Sequence, residues 1–477
     1  MPLCNHCLLA LATTDVDLPA PEGAMLPNEL FLIVLRHVRT SELHSAALAS
    51  RNLCQLARTF LFSDFHFWPY TLKDNTLTLP ADDAVLGMTK KLAFFSGPAI
   101  APLVQLLHLS MSEMRTNYTR LAVLGGEFDT SITTHALRDL FFAHLHKFTL
   151  VKFVRADKII FTVPALMALA RMANPLDLEL WECSLGVTSS IASTLPRLSV
   201  TRLDLSRGHD VDLWLALLDA KQLLEFEAFS MRDFPHSSLG LEPSTTFPNV
   251  WSLSIFIYWI NISRGLHIFR AMFPGVTTLE IQEGDSHPGD YEVDIHPVFP
   301  HLKTYYGPST ALPLFIGGTM LRELKLNSCD IFDLRQALQR LNVHFPQTVT
   351  RFEVCIVEPP IQDLAAIFPY FPSLETLDLE LTFFMIDDPV VEEVLRFFAT
   401  LSPRLPRTLR KLCIQCDDSD EPATINFDIP APRVIQSQIL ARCPDVVEVQ
   451  LTAPYFALGW DATRGFRMER TGFWAEE

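Results

Sequence analysis

Between Leu26 and Trp68 the sequence runs LPNELFLIVLRHVRTSELHSAALASRNLCQLARTFLFSDFHFW, and its apolar residues recur at helical intervals. Leu30, Ile33, Val34 and Val38 form one stripe. Pro27 stands where a helix starts, a place at which proline loses no helical hydrogen bond. Glu29 lies near the positive end of that helix dipole. The Arg39-Thr40-Ser41 turn ends the first helix, and Ser41 is the expected N-cap of SELHSAALA. Leu43, Ala46, Ala47 and Ser50 line one side of this second segment. In the third, RNLCQLARTFLF, the residues Leu53, Leu56, Ala57, Phe60 and Leu61 fall at i, i+3, i+4, i+7 and i+8. Each helix is too short to be stable alone, so the three must pack on one another.

A different pattern follows. Phe-Pro, then apolar residues at strand spacing, recurs as FPNVWSLSI from Phe247, FPGVTTLEI from Phe273, FPHLKTYY from Phe299, FPQTVTRFEV from Phe345 and FPSLETLDL from Phe371. Three of the intervals, 247 to 273, 273 to 299 and 345 to 371, are 26 residues. The longer gap holds MLRELKL, whose Leu321, Leu324 and Leu326 keep the core spacing. Later units stretch, as LPRTLRKLCI from Leu405 and CPDVVEVQL from Cys443. Earlier ones are weaker: LHKFTL from Leu145, PLDLEL from Pro175 and LPRLSVTRLDL from Leu195. The apolar-x-apolar core predicts a short strand with alternate residues inward. Stretches such as DLRQALQRLNVHF (333–345) and DPVVEEVLRFFATL (388–401) predict helices between strands. One unit cannot bury its own apolar face, whereas stacked units can. The phenylalanine is expected to pack under the stack, and the proline to stop the preceding helix.

These patterns divide the chain into a leader (1–24), the helical block (25–70), a linker or degenerate first repeats (71–140), a repeat array (141–455) and a tail or cap (456–477). TKKLAFF (89–95) and YTRLAVL (118–124) lean towards repeats. The tail GWDATRGFRMERTGFW carries Trp460 and Trp474, which are expected to fold back over the last unit.

The helical block resembles an F-box, the adaptor-binding motif of substrate receptors in SCF (Skp–cullin–F-box) ubiquitin ligases. The resemblance rests on Leu26-Pro27-x-Glu29-Leu30, then Ile33, Val38, Leu43, Ala47, Leu48, Ser50, Leu53, the Leu56-Ala57-Arg58 run and Leu61-Phe62. It covers about 45 residues, counted along the chain. His37-Val38-Arg39-Thr40 replaces the commoner His-Leu-x-Pro, and Asn52-Leu53 stands where an aromatic often follows Ser-Arg. Neither departure removes an apolar contact position. The repeat spacing resembles leucine-rich repeats of the irregular kind found behind many F-boxes. The usual repeat asparagine appears once in its expected place, at Asn327. The expected fold is therefore α/β: an N-terminal three-helix F-box followed by a leucine-rich-repeat-like βα solenoid with parallel strands on its concave face. The resemblance implies that Leu26, Pro27, Leu30, Ile33, Val38, Leu43, Leu48 and Leu53 form the adaptor-facing and supporting apolar set. It implies a Skp-type adaptor, through it a cullin, and a protein substrate held by the repeats.

Composition narrows this further. At 477 residues the chain exceeds one ordinary core. A net charge of −17 argues against a nucleic-acid backbone as partner and favours a basic protein surface. No apolar run is long enough to span a bilayer. The nearest, Trp251 to Ile262, reads as a buried strand. Leu8 to Leu11 is too brief for a signal-peptide core, and the first basic residue is Arg36, so a soluble, non-secreted protein of the cytoplasm, the nucleus or both is expected. Nine scattered cysteines fit reduced thiols. Cys4/Cys7 and Cys413/Cys416 have CxxC spacing, but a zinc site needs four convergent ligands and these pairs stand 406 residues apart.

Outward positions between the inward strand residues include Asp204, Ser254, Glu280, Lys325, Glu353, Asp378, Cys413 and Gln450. Two readings of them stand. They form a ladder for a basic or hydrogen-bonding substrate segment, with Asp204, Glu280, Lys325, Glu353 and Asp378 as its contacts, or a plainly solvated face of an acidic protein. No GxSxG, HExxH or GxxxxGK[ST] motif occurs, and the His144-Leu145-His146 pair lacks further ligands at metal spacing. The expected function is a non-catalytic substrate receptor of an SCF-type ligase, without cofactor or metal. A repeat scaffold without a degradation role and an α/β enzyme with an unrecognised site are the alternatives.

Overall fold

Helical and strand periodicities alternate along the chain, and the result is a mixed α/β protein built on mostly parallel sheet. The computed structural model describes residues 27–68, 71–73, 76–78, 82–110, 136–206, 210–228, 245–257, 269–283, 299–315, 320–341, 347–357, 361–382, 399–417, 432–453, 456–461 and 465–469. The chain divides into two units, Met1–Gln222 and Leu223–Glu477.

The first unit begins with three helices, α1 (Asn28–Arg36), α2 (Thr40–Ala49) and α3 (Arg51–Leu61). Helix α2 starts one residue before the expected Ser41 cap. Arg39 occupies the N-cap position instead, and its backbone N–H donates to the Glu42 carboxylate at 3.1 Å. Ser50 caps α3, its Oγ accepting from the Leu53 N–H at 3.1 Å. Leu35, Leu43, Ala47 and Ala57 form the small core of this block, with Val38, Leu53, Leu56, Phe60 and Leu61 packed against it.

Five parallel strands follow: Asp64–Phe67, Leu106–Leu109, Phe153–Asp157, Leu176–Trp181 and Val200–Ser206. Each pairs with the next in that order. Aromatic rings fill the space beneath. Phe65 stacks on Phe95 at 4.4 Å and Phe67 on Phe141 at 5.2 Å, while Phe62 meets Phe94 edge-on at 5.8 Å and so ties the helical block to the strands. TKKLAFF, read as a candidate repeat, is the second half of the helix Asp82–Phe95 and supplies two of these rings. LHKFTL also departs from expectation. It forms a short 3-10 turn, Leu145–Lys147, and the strand comes only at Phe153. Its Leu145 and Phe148 are fully buried, so the segment keeps its apolar role without the strand.

In the second unit nine parallel strands run from Glu225–Ala228 through Ser252–Ile257, Thr278–Glu283, Thr304–Gly307, Glu323–Cys329, Arg351–Val357, Thr376–Thr382 and Lys411–Asp417 to Glu448–Ala453. Each pairs only with its neighbours in sequence order. Phe456–Asp461 and Gly465–Glu469 then add on antiparallel. Trp460 lies on this hairpin, and Trp474 is outside the described residues. No barrel closes among the described strands.

The Phe-Pro units share a backbone turn. An N–H three residues on donates to the carbonyl of Phe247, Phe273, Phe299 and Phe371, at 3.3 to 3.4 Å. Cys443 takes the phenylalanine place in the last unit, with the same bond from Val446 at 3.2 Å. Phe273 and Cys443 each close a last helical turn through their own N–H, and the proline that follows has none to continue it. Phe247 and Phe273 stack at 5.6 Å, and Phe352 and Phe371 at 4.7 Å. Leu253, Ile255, Leu279, Ile281, Leu324, Leu326, Leu377, Leu379, Leu412 and Ile414 alternate inward and are buried. Of the run expected as a buried strand at Trp251–Ile262, the described strand is Ser252–Ile257, and Trp251 is 44% exposed just before it. The expected helix at 333–345 runs Ile331–Leu341. Most of the one at 388–401 lies outside the described residues, as do Phe345 and YTRLAVL.

Candidate functional site

Two surfaces stand out. The first is on the three helices. The residues Leu30, Ile33 and Val34 of the apolar stripe are 47%, 59% and 60% exposed, and Leu48 on α2 is 80% exposed. Helix α1 makes its core contacts through Leu35, with Val38 packed behind it. The reason is visible in NELFLIVLR: six consecutive apolar residues leave no polar face, so periodicity could not choose which side turns inward. The adaptor-directed set therefore divides. Pro27, Leu30, Ile33 and Leu48 are exposed; Leu43 is core; Val38 and Leu53 support it. Leu26 lies outside the described residues. Val34, absent from that set, belongs with the exposed group, and its place in the 30/33/34 spacing was the signal for it.

The second surface is the polar face of the strands. In the second unit strand register aligns Glu227, Ser254, Glu280, Tyr306, Lys325, Glu353, Asp378, Cys413 and Gln450 side by side. All seven outward residues read from this part of the sequence thus fall on one rung. The eighth, Asp204, lies on the corresponding rung of the first unit, after His66, His108, Arg155 and Glu179.

Ion pairs neutralise part of this face: Lys325 and Glu353 pair on the rung itself, while Arg351, Lys411 and Glu448 stand on the next outward row, two residues earlier on their strands. Lys325 Nζ lies 2.9 Å from Glu353 Oε2, Arg351 Nη2 lies 3.4 Å from the same oxygen, and Lys411 Nζ lies 2.8 Å from Glu448 Oε2. Burial raises the Asp378 carboxyl above its usual range, against a hydrogen bond from Cys413 that lowers it. Burial, with Asp378 alongside, pushes the Cys413 thiol up to about 12, so this cysteine is a neutral donor at physiological pH and not a thiolate. Asn327, the one well-placed repeat asparagine, has a buried Oδ1 with no hydrogen-bond partner.

In the first unit, His108 Nδ1 and His66 Nδ1 are 3.0 Å apart, one donating to the other. Burial, then the nearby His66 and Arg155, lower the His108 pKa to about 4. Arg155 Nη2 donates to Glu179 Oε2 at 2.6 Å. Asp204, only 9% exposed, accepts from Ser206 Oγ at 3.0 Å, and burial raises its pKa. The histidine pair and the Arg155–Glu179 bridge were not anticipated, because the strands that carry them lack the Phe-Pro marker.

Among the described residues no group of three or more His, Cys, Asp or Glu side chains is placed to hold a metal ion. Cys4 and Cys7 lie outside those residues, and Cys54, Cys183, Cys329, Cys355, Cys413 and Cys443 are unbridged. His146 is exposed, and His144 is hydrogen-bonded to Ser96 Oγ at 3.0 Å. No described helix is long and apolar enough to cross a membrane. No protein-family model matches the chain, and no curated protein matches it in sequence.

Proposed function

We propose that this protein is a non-catalytic substrate receptor of an SCF-type ubiquitin ligase. On this reading α1–α3 are an F-box that docks on a Skp-type adaptor and, through it, a cullin. The following strands belong to an irregular leucine-rich-repeat solenoid whose polar face holds a protein substrate, and ubiquitin transfer follows from proximity.

One observation carries the reading: the helical block buries its own core and still leaves Leu30, Ile33, Val34 and Leu48 turned outward. Exposed apolar side chains scattered singly are ordinary, but a cluster on one small element marks a contact surface. Fully burying a leucine or isoleucine contributes about 1.5–3 kcal/mol, so a few anchors suffice for a stable complex. The F-box register in the sequence says which partner fits. The aligned polar rung supports the second half of the reading, because a row of outward side chains with fixed spacing suits an extended protein segment.

The test is co-purification of the full chain with a Skp-type adaptor. Ile33→Glu and Leu48→Glu are expected to abolish the complex and leave the thermal melting of the free protein unchanged. Leu43→Ala is expected instead to cost about 2–5 kcal/mol of stability, since it opens a cavity in the block's core. Wild-type protein that fails to bind the adaptor, or Ile33→Glu and Leu48→Glu variants that bind as well as wild type, would overturn the assignment.

A further inference from the structure

We propose that the outward side of the neighbouring strands Glu323–Cys329 and Arg351–Val357 binds an extended segment of another protein by its main-chain amides, with Asn327 and Arg351 as the contacts. This rests on the reading of the strand face as a recognition surface and names what that face recognises.

Two atoms carry the proposal. Among the described residues of the second unit, the buried side-chain polar atoms without a hydrogen-bond partner are Asn327 Oδ1 and Arg351 Nε. Both belong to these adjacent strands and to the same side of them. Asn327 follows the buried Leu326, and Arg351 precedes the buried Phe352, so each takes the outward alternation. Polar atoms withdrawn from water without a partner are costly, and native chains keep few of them. Here one accepts and the other donates, as the N–H and C=O of a bound main chain require.

The spacing fits such a chain. Strand register sets Arg351 opposite Glu323, four residues before Asn327, so the two groups stand about 13 Å apart along the strands. In an extended segment, residues four apart turn their backbone groups to the same side at that interval. The carbonyl of one then meets Arg351 Nε, and the N–H of the other meets Asn327 Oδ1. The pairing also slips here: Leu326 faces Val354 and Cys329 faces Ile356, so Asn327 lies in a bulge, a device that re-aims a side chain. Arg351 Nη2 donates to Glu353 Oε2 at 3.4 Å, which holds the guanidinium without using Nε. Lys325 and Glu353 stand between the two contacts, joined by a partly exposed ion pair that an incoming segment displaces at little cost. On this patch Lys325 and Arg351 are balanced by Glu323 and Glu353, which favours an uncharged main chain over a charged side chain.

The test uses the full chain and a fluorescein-labelled peptide of alternating serine and threonine, read by anisotropy. Saturable binding is expected, because the contacts are to the main chain. The same peptide N-methylated at every peptide nitrogen lacks the N–H that Asn327 accepts and is expected to bind about tenfold more weakly. Arg351→Lys keeps the charge and loses Nε, and Asn327→Leu keeps the bulk and loses the acceptor; each is expected to weaken binding by a similar factor. Asn327→Leu is expected to leave the urea midpoint of the free protein no lower than wild type, since Oδ1 has no partner to lose. Absence of saturable binding, equal affinity for the methylated peptide, full affinity in either variant, or a lowered midpoint for Asn327→Leu each overturns the site. Ile33→Glu leaves peptide binding intact, so failure of the adaptor reading and failure of this one are told apart.

Discussion

Asp157 and His108 sit in the same unit with their proton affinities pushed in opposite directions. Burial raises Asp157 to about 6 from an ordinary 3.8, and its Oδ1 has no hydrogen-bond partner. Burial lowers His108 to about 4 from 6.5. A raised carboxyl makes the folded state bind its proton more tightly than the unfolded chain, so Asp157 favours folding below pH 3.8 and loses that contribution as pH climbs towards 6. A depressed histidine does the reverse: as pH falls from 6.5 towards 4 the unfolded chain takes up a proton that folded His108 refuses, and stability is lost. The two effects oppose each other over nearly the same window. Asp157→Asn is expected to stabilise the protein at pH 7 by about 1–3 kcal/mol and to make it more acid-sensitive than wild type between pH 6.5 and 4. His108→Gln is expected to give the opposite slope. Chemical denaturation at stepped pH measures both; parallel curves for the two variants would rule out the opposition.

At the scale of elements, the Phe-Pro turn brings backbones very close together. A Cβ built on Gly275 would lie 2.4 Å from the Pro248 carbonyl oxygen of the preceding unit. That neighbour is backbone and cannot swing aside, so Gly275→Ala is expected to cost about 1–3 kcal/mol by forcing the two turns apart. Urea unfolding checks this, and an unchanged midpoint would contradict it. The strands behind these turns were legible because two signals coincide: alternation fixes the inward residues, and Phe-Pro marks where each unit begins. MLRELKL was legible from alternation alone, with Leu321, Leu324 and Leu326 buried as expected. Where one signal is missing the reading slips. TKKLAFF has apolar residues compatible with either period, and its helix is settled by Phe94 and Phe95 packing onto Phe62 and Phe65. In α1 the choice of inward face was decided by packing against α3, which sequence spacing does not record. The polar rung was legible as a list, while its ion pairs depend on side-chain reach and were not.

At the scale of the whole molecule, the second unit's strands meet only their sequence neighbours, so cooperativity passes from strand to strand and not through a shared centre. Phe273 touches the rings of Phe226, Phe247 and Phe269, which come from the two units before it. Phe273→Ala is expected to cost about 3–5 kcal/mol locally. In hydrogen exchange the strands Ser252–Ile257 and Thr278–Glu283 are expected to lose protection first, with Lys411–Asp417 retaining it. Uniform loss across the unit would show a single cooperative body instead. The same layout explains how an acidic chain of net charge −17 tolerates a charged sheet face. Each rung needs to be balanced only against its immediate neighbours, as Lys325 and Glu353 are.

The hairpin Phe456–Glu469 reverses direction against the last parallel strand. Eight successive pairings in this unit follow one rule, each strand parallel to the one before, and such a row is a template to which any similar strand from another molecule can add. The reversal breaks the rule at the row's final member. Glu448–Ala453 spends its free backbone groups on a neighbour from its own chain that runs the wrong way to be copied. The hairpin therefore covers the edge of the last parallel strand, which would otherwise be open to strand addition.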